Sequence, residues 1–413
     1  MGAAVWAVNA LGPHDHVLIV GGGLAGWRFV EECRRLGFTG RLTMVSDESL
    51  PPYDRPPLSK QVLSGKWDFD QILLATPDRR AAADVDLILS DAATALDVTS
   101  LAVTLASGRA VQADRVVIAT GTTARHLPFG DGVLHYLRTY SDVTALHAAL
   151  ALLPAAPRVG VIGGGFIGAE VATALRGVGA DVTILEAASA PLVTVLGETI
   201  AEWLRDLPDA AGVRLLTNQQ IRDVVRDDGG VQVVREGETS LAFDLVVAGV
   251  GAVPSTAWLA SSGLDCANGV VVDASLLASP VIGAIGDVAR FTWESVTGSS
   301  SVRIEHWQMA SDHAARLAST WCTPEAPLPP LVPYFWSDQY GAKIQVLGRP
   351  FPSDDVVMVR GEPGQSWVAL SSRDGLVTAI VTLRQPRALM RSRELVTTTH
   401  RLEQALSLAP WND

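Results

Sequence analysis

At 413 residues, 48% of them hydrophobic, the chain can bury several cores, and two or three domains are expected. Its net charge of −12 argues against nucleic acid as a partner, because a phosphate backbone needs a basic face. No apolar run reaches membrane length, and residues 1–16 lack the basic start and cleavage pattern of a secretory signal. They read as a loose tail in which His14 and His16 are solvated, and cytoplasm is the expected location.

In chain order, the first clear element is the strand Val17-Leu18-Ile19-Val20, running into Gly21-Gly22-Gly23-Leu24-Ala25-Gly26 and a helix. A strand over 42–46 ends at Asp47. The proline-rich segment 51–60 follows, then short alternating strands near 85–90, 93–97, 101–105 and 115–119, the last ending in Ala119-Thr120-Gly121. A helix over 142–153 leads to a second strand, Val159-Gly160-Val161-Ile162, and a second glycine turn, Gly163-Gly164-Gly165-Phe166-Ile167-Gly168. Its next strand, 182–185, ends at Glu186. Strands near 213–216, 222–226 and 231–235 precede Leu245–Gly251 and a buried strand, Val281–Asp287. Pro324, Pro327, Pro329, Pro330 and Pro333 mark a linker. Beyond it, strands near 342–347, 355–360, 366–371 and 376–382 and one helix over about 387–407 form a small α+β unit.

Two glycine turns in the same context carry more weight than one. In each, the first glycine makes the tight turn, the second admits a pyrophosphate to backbone N–H groups, and the third lets helix pack on strand. Asp47 lies 21 residues past Gly26, and Glu186 lies 18 past Gly168, so each carboxylate suits a ribose hydroxyl pair. A carboxylate there repels a 2′-phosphate, and Ala187–Pro191 offers no arginine to neutralise one, so NADH is expected over NADPH. Cys33, Cys266 and Cys322 show neither a CxxC nor a zinc spacing, so a redox dithiol beside a flavin is not expected, and Cys33 reads as a buried inert thiol. His306 and His313 could share a helix face, but no carboxylate completes a metal site.

The two fingerprints, Ala119-Thr120-Gly121, Ala248–Gly251 and Gly286-Asp287 resemble the two-dinucleotide-binding flavoproteins of the glutathione reductase family. Pro56-Pro57-Leu58-Ser59-Lys60, Arg303-Ile304-Glu305 and Phe335–Gln339 narrow the likeness to oxygenase-coupled ferredoxin reductases. The resemblance implies an α/β fold of two Rossmann-like dinucleotide-binding domains plus a C-terminal α+β domain. The expected boundaries are 1–118 with 249–325 for FAD, 119–248 for NAD, and 326–413 for the C-terminal domain.

It also implies site residues. FAD would be held by Gly21, Gly23, Ala25, Gly26, Asp47, Arg55, Ala93, Arg125, Asp287 and Trp307, and NADH by Gly163, Gly165, Ile167, Gly168, Glu186 and Gly251. Lys60 and Glu170 would pair beside flavin N5, Lys60 steadying charge on the reduced flavin. Phe166 fits equally a flavin-covering aromatic and ordinary core packing. The implied activity is NADH:ferredoxin reduction feeding a cytochrome P450 or a Rieske oxygenase. NADH oxidase or rubredoxin reductase, and an NADH-sensing flavoprotein, are the alternatives. Residues 326–413 carry 9 basic and 8 acidic groups, so the charge of −13 falls on the remainder. A local basic rim for an acidic ferredoxin is therefore expected, from Arg55, Arg290, Arg303 and Arg349.

Overall fold

The computed structural model describes residue 6 and residues 8–295, 297–328 and 331–412; Pro329 and Pro330 of the proline cluster lie outside the described residues, as do residues 1–5 and 7 of the tail. The chain divides into two compact units. The first is built from Met1–Asp54, Ile72–Thr123 and Val253–Pro333, the second from Arg55–Gln71, Ala124–Ala252 and Tyr334–Asp413.

The first unit centres on a six-stranded sheet, ordered Leu277–Ser279, Ile282–Ala284, Arg115–Ile118, His16–Val20, Arg41–Val45, Val85–Ile88. All its pairings are parallel except the edge pair 277–279 with 282–284. Strands buried on both faces need unbroken apolar runs, which Val17–Val20 and Val116–Ile118 supply, all of them at most 2% exposed. The helix Leu24–Arg35 buries Trp27, Phe29, Val30 and Cys33. It packs against Trp307–Cys322, with Phe29 edge-on to Trp321 at 5.9 Å. A hairpin, Ala289–Ser295 with Gly298–Arg303, is present where no strands were expected.

The second unit repeats the parallel theme in a four-stranded sheet, ordered Arg214–Leu216, Asp181–Leu185, Arg158–Ile162, Leu245–Ala248. The helix Phe166–Gly177 follows its fingerprint strand. Its C-terminal part is a five-stranded antiparallel sheet, ordered 334–339, 342–348, 376–383, 367–373, 355–361.

Two sequence expectations are corrected. His16 is not solvated tail: it opens the first strand, its ring nitrogens lie 3.0 Å from the Gln112 carbonyl and 2.9 Å from Thr43 Oγ1, and burial lowers its pKa. The helix expected over 387–407 is three short ones, Pro386–Arg391, Glu394–Thr397 and Leu402–Leu408. The buried Ser392 hydroxyl donates to the Ala388 carbonyl (2.8 Å) as the first ends, and β-branched Thr398 takes up extended backbone after the second, at φ −128°, ψ 161°. Arg401 then bridges to Leu376 at the sheet.

Candidate functional site

The glycines of the two fingerprints separate into two physical kinds. Gly21 has φ +123°, and a Cβ there would lie 2.2 Å from the Ala119 carbonyl oxygen. A Cβ on Gly26 would lie 2.4 Å from the Gly21 oxygen. The fold itself demands both. In the second unit, Gly163 (φ +100°, 2.5 Å from the Gly249 oxygen) and Gly168 (2.0 Å from the Gly163 oxygen) repeat the pattern.

Gly23 and Gly165 differ. Their backbones, φ −93° and −70°, suit any residue, and beyond their own helix and chain neighbours no atom of the described residues lies within 4 Å of a Cβ built on either. Neither packing nor strain calls for glycine there, and both positions leave the backbone open to a group from outside the chain. Both residues are helix N-caps without a side-chain cap, and neither helix carries an acid in its first turn. Each helix therefore presents unpaired N–H groups and the positive end of its dipole, which fits a pyrophosphate.

In the first unit, Asp47 lies exposed two residues past the strand Arg41–Val45, and Ala93 opens the strand Ala93–Asp97 against the core. A Cβ on Gly286 would sit 2.8 Å from the Ala25 methyl, which places Gly286-Asp287 close against the fingerprint helix. The Gly286 N–H donates to His313 Nδ1 at 3.2 Å. Complete burial pushes the His313 pKa down to about 3, so the ring is neutral, and it stands edge-on to Phe291 at 4.6 Å. Burial also lowers His306, to about 4, against the opposing charge of Asp287. Trp307 donates from Nε1 to Asp54 Oδ1 at 2.7 Å, and the Arg28 guanidinium lies 5.9 Å from its ring centre. His313 was assigned only a shared helix face by sequence; no spacing rule reveals that its nitrogen holds the Gly286 amide.

The second unit holds the polar centre. Lys60 Nζ lies 2.7 Å from Glu170 Oε2, with side-chain exposures of 14% and 4%. Ser59 donates to the same oxygen at 2.6 Å, and Ser337 to Oε1 at 2.7 Å. Lys60 also donates to the Pro56 carbonyl (3.1 Å), and Gln339 Nε2 to Ser337 Oγ (3.2 Å). The short helical turn Pro56–Ser59 sets Ser59 and Lys60 side by side, with prolines fixing its first residues. The strand Tyr334–Gln339 alternates, so Phe335, Ser337 and Gln339 share its buried face. Glu170 is thus held by three donors from two chain segments, the turn at 56–60 and the strand at 334–339. Sequence named Lys60 and missed Ser59 and Ser337, although both stand inside motifs that carried the resemblance.

Phe166 opens its helix and meets Phe335 edge-on at 4.9 Å, so it does pack. Ile167 beside it is 47% exposed. Glu186 takes the Gly164 N–H on Oε2 (2.6 Å) and the Ala188 N–H on Oε1 (2.7 Å), which sets a carboxylate at the rim of the second glycine turn. Arg55 donates to the Arg138 carbonyl (2.8 Å). Arg125 is exposed; its N–H donates to the Gly251 carbonyl (2.9 Å), where Gly251 turns at φ +99°. One member of the expected basic rim is corrected. Arg303 is 12% exposed and spends its guanidinium on Glu305, Asn268 and the Asp287 carbonyl, so it anchors a loop. Arg349 instead lies over the Phe351 ring at 4.5 Å.

Sequence and structure comparisons agree with this geometry. Residues 15–314 match the pyridine nucleotide-disulphide oxidoreductase model, and residues 334–410 the reductase C-terminal model. The chain belongs to the pyridine nucleotide-disulphide oxidoreductase family, whose members bind FAD and NAD(P). It is 34% identical over 395 residues to putidaredoxin reductase of Pseudomonas putida, covering 93% of this chain and 92% of that one. It is 33% identical over 389 residues to the ferredoxin–NAD(+) reductase subunit of the benzene 1,2-dioxygenase system of Pseudomonas putida, covering 92% of each. The crystal structure of the covalent putidaredoxin reductase–putidaredoxin complex superposes with a TM-score of 0.87 at 33% identity, covering 94% of this chain and 93% of that one.

Proposed function

We propose that the chain is an NADH:ferredoxin reductase that delivers electrons to a small iron–sulfur ferredoxin, and through it to a cytochrome P450 or a Rieske oxygenase, in the cytoplasm. The observation that carries the reading is two open, uncapped fingerprint helices in one chain with no thiol at either glycine turn. Cys33 lies nine residues along its helix from Leu24, about 13 Å from the helix start. FAD held at the first helix start would supply the conversion of a hydride from NADH into single electrons, and with no thiol at either glycine turn the acceptor in this reading is a one-electron carrier.

The chain's own residues have defined tasks in this reading. Gly23 and Gly165 admit the two pyrophosphates, and Asp47 and Glu186 bind ribose hydroxyls. Glu186 gives up its N–H contacts at the glycine turn to do so, and repels a 2′-phosphate. Asp287, Ala25, Ala93, Arg55, Arg125 and Trp307 serve the flavin nucleotide. Lys60 supplies a fixed positive charge for the reduced state, and Glu170, gripped by Ser59 and Ser337, keeps that charge in place. The domain roles follow: 1–118 with 249–325 for FAD, 119–248 for NAD, 326–413 for the C-terminal domain. The relatives' names, a putidaredoxin reductase and the ferredoxin–NAD(+) reductase subunit of a dioxygenase system, support the acceptor class.

Stopped-flow reduction by NADH, followed by mixing with a panel of iron–sulfur proteins over a range of ionic strength, tests the whole reading. Rapid reoxidation by a [2Fe–2S] ferredoxin, weakening as salt rises, is expected. Reoxidation by oxygen or rubredoxin alone, or by no acceptor, refutes it.

A further inference from the structure

The two cysteines that sequence placed 289 residues apart meet in the first unit. Cys33 is one turn beyond Phe29 on the first fingerprint helix, and Cys322 follows Trp321 at the end of Trp307–Cys322. The edge-on contact of Phe29 with Trp321 at 5.9 Å brings these helix ends together. The Leu11 N–H donates to the Trp321 carbonyl at 2.8 Å and ties the chain entry to the same corner. The two thiols neighbour each other there and are unequal. Cys33 is fully buried, and burial pushes its pKa well up, whereas Cys322 is partly exposed and the Cys33 thiol beside it pulls it down. Cys266, the third thiol, is raised by burial and by Asp265.

We propose that Cys33 and Cys322 form a redox modification site: a hydroperoxide oxidises Cys322, and Cys33 resolves it to an intramolecular disulfide. In the first step the Cys322 thiolate attacks the peroxide O–O bond, becoming a sulfenic acid as hydroxide leaves; sulfur loses two electrons and the peroxide gains them. In the second, the Cys33 sulfur attacks the Cys322 sulfur, its proton joins the departing hydroxyl as water, and the S–S bond forms. A dithiol reverses the bond by exchange. The partly exposed, more acidic thiol meets the oxidant, and the buried one sits where only Cys322 can reach it. The first unit is discontinuous, with Cys33 in its opening segment and Cys322 in its closing one. The disulfide therefore adds a covalent staple between two chain pieces that packing and hydrogen bonds hold together in the reduced protein.

The test uses the full-length, FAD-loaded protein. After limiting hydrogen peroxide, thiol titration in denaturant should fall from three groups to one. Non-reducing peptide mapping should join the Cys33 and Cys322 peptides, with the thermal midpoint raised and dithiothreitol returning both readings. In Cys33→Ser, the Cys322 sulfenic acid should persist and be trapped by dimedone; in Cys322→Ser, Cys33 should stay unmodified. Three titratable thiols after peroxide, a linkage through Cys266, or dimedone trapping in the parent as abundant as in Cys33→Ser would overturn the proposal.

Discussion

Replacing Lys60 with Met removes the cation from Glu170 while keeping the length of the stem. The carboxylate, 4% exposed, then keeps only the Ser59 and Ser337 hydroxyls. Breaking a buried pair from one side commonly costs about 3–5 kcal/mol. Urea unfolding of parent and Lys60→Met reads this loss out, and Lys60→Met/Glu170→Gln should recover most of it, because the second change removes the stranded charge while keeping a partner for both serines. Flavin reduction by NADH should slow on the order of a hundredfold, as expected for losing a charge at the reacting centre. A double variant no more stable than Lys60→Met would refute the account of a stranded charge, and unchanged reduction kinetics would return the pair to a purely structural role.

The remaining expectations concern nucleotide choice and acid stability. NADH should reduce the flavin far more efficiently than NADPH, and Glu186→Ala should narrow the gap chiefly by admitting NADPH; equal efficiency in the parent would remove Glu186 from that role. His313, pushed down to about 3 by burial, makes the folded state bind fewer protons than the unfolded chain below about pH 6.5. Stability should therefore fall as pH drops from 6.5 towards 3, by roughly 5 kcal/mol at the full shift. His313→Gln keeps an acceptor for the Gly286 N–H and should flatten that fall; an unchanged pH profile of unfolding would show that the ring is not the acid-labile group.

The parallel βαβ cores were legible because two signals coincide, unbroken Val/Ile/Leu runs and a glycine turn at each strand end. Boundaries such as Arg158–Ile162 and Leu24–Arg35 follow from them. The Lys60–Glu170 pair was legible only through the motif resemblance, since 110 residues separate its members. Ser337 and the Cys33–Cys322 contact were not legible, because nothing local distinguishes a serine or a thiol that meets its partner from one that does not. The C-terminal helix was misread for a different reason. Its apolar spacing is helical throughout, but Ser392 and the threonines at 397–399 offer the backbone competing arrangements, and the pattern of hydrophobicity is silent about those.

The glycines show how a cofactor can be inferred from the chain's own backbone. Of the glycines at the first, third and sixth positions of each fingerprint, the first and last are explained by the protein, because a Cβ would strike the carbonyl of Ala119, Gly21, Gly249 or Gly163. Their presence says only that this strand, turn and helix are closely packed, and any protein with such packing would need them. Gly23 and Gly165 lack that explanation: their torsions are open to all residues and the space beside them is free of protein. A helix N-cap is also a place where serine, threonine or aspartate would be more stabilising than glycine, by a few tenths of a kcal/mol. Folding alone would therefore favour a capping side chain at both positions. The same residue at both helix starts, against that preference, leaves their N–H groups open to the oxygens of an anion in place of a capping side chain.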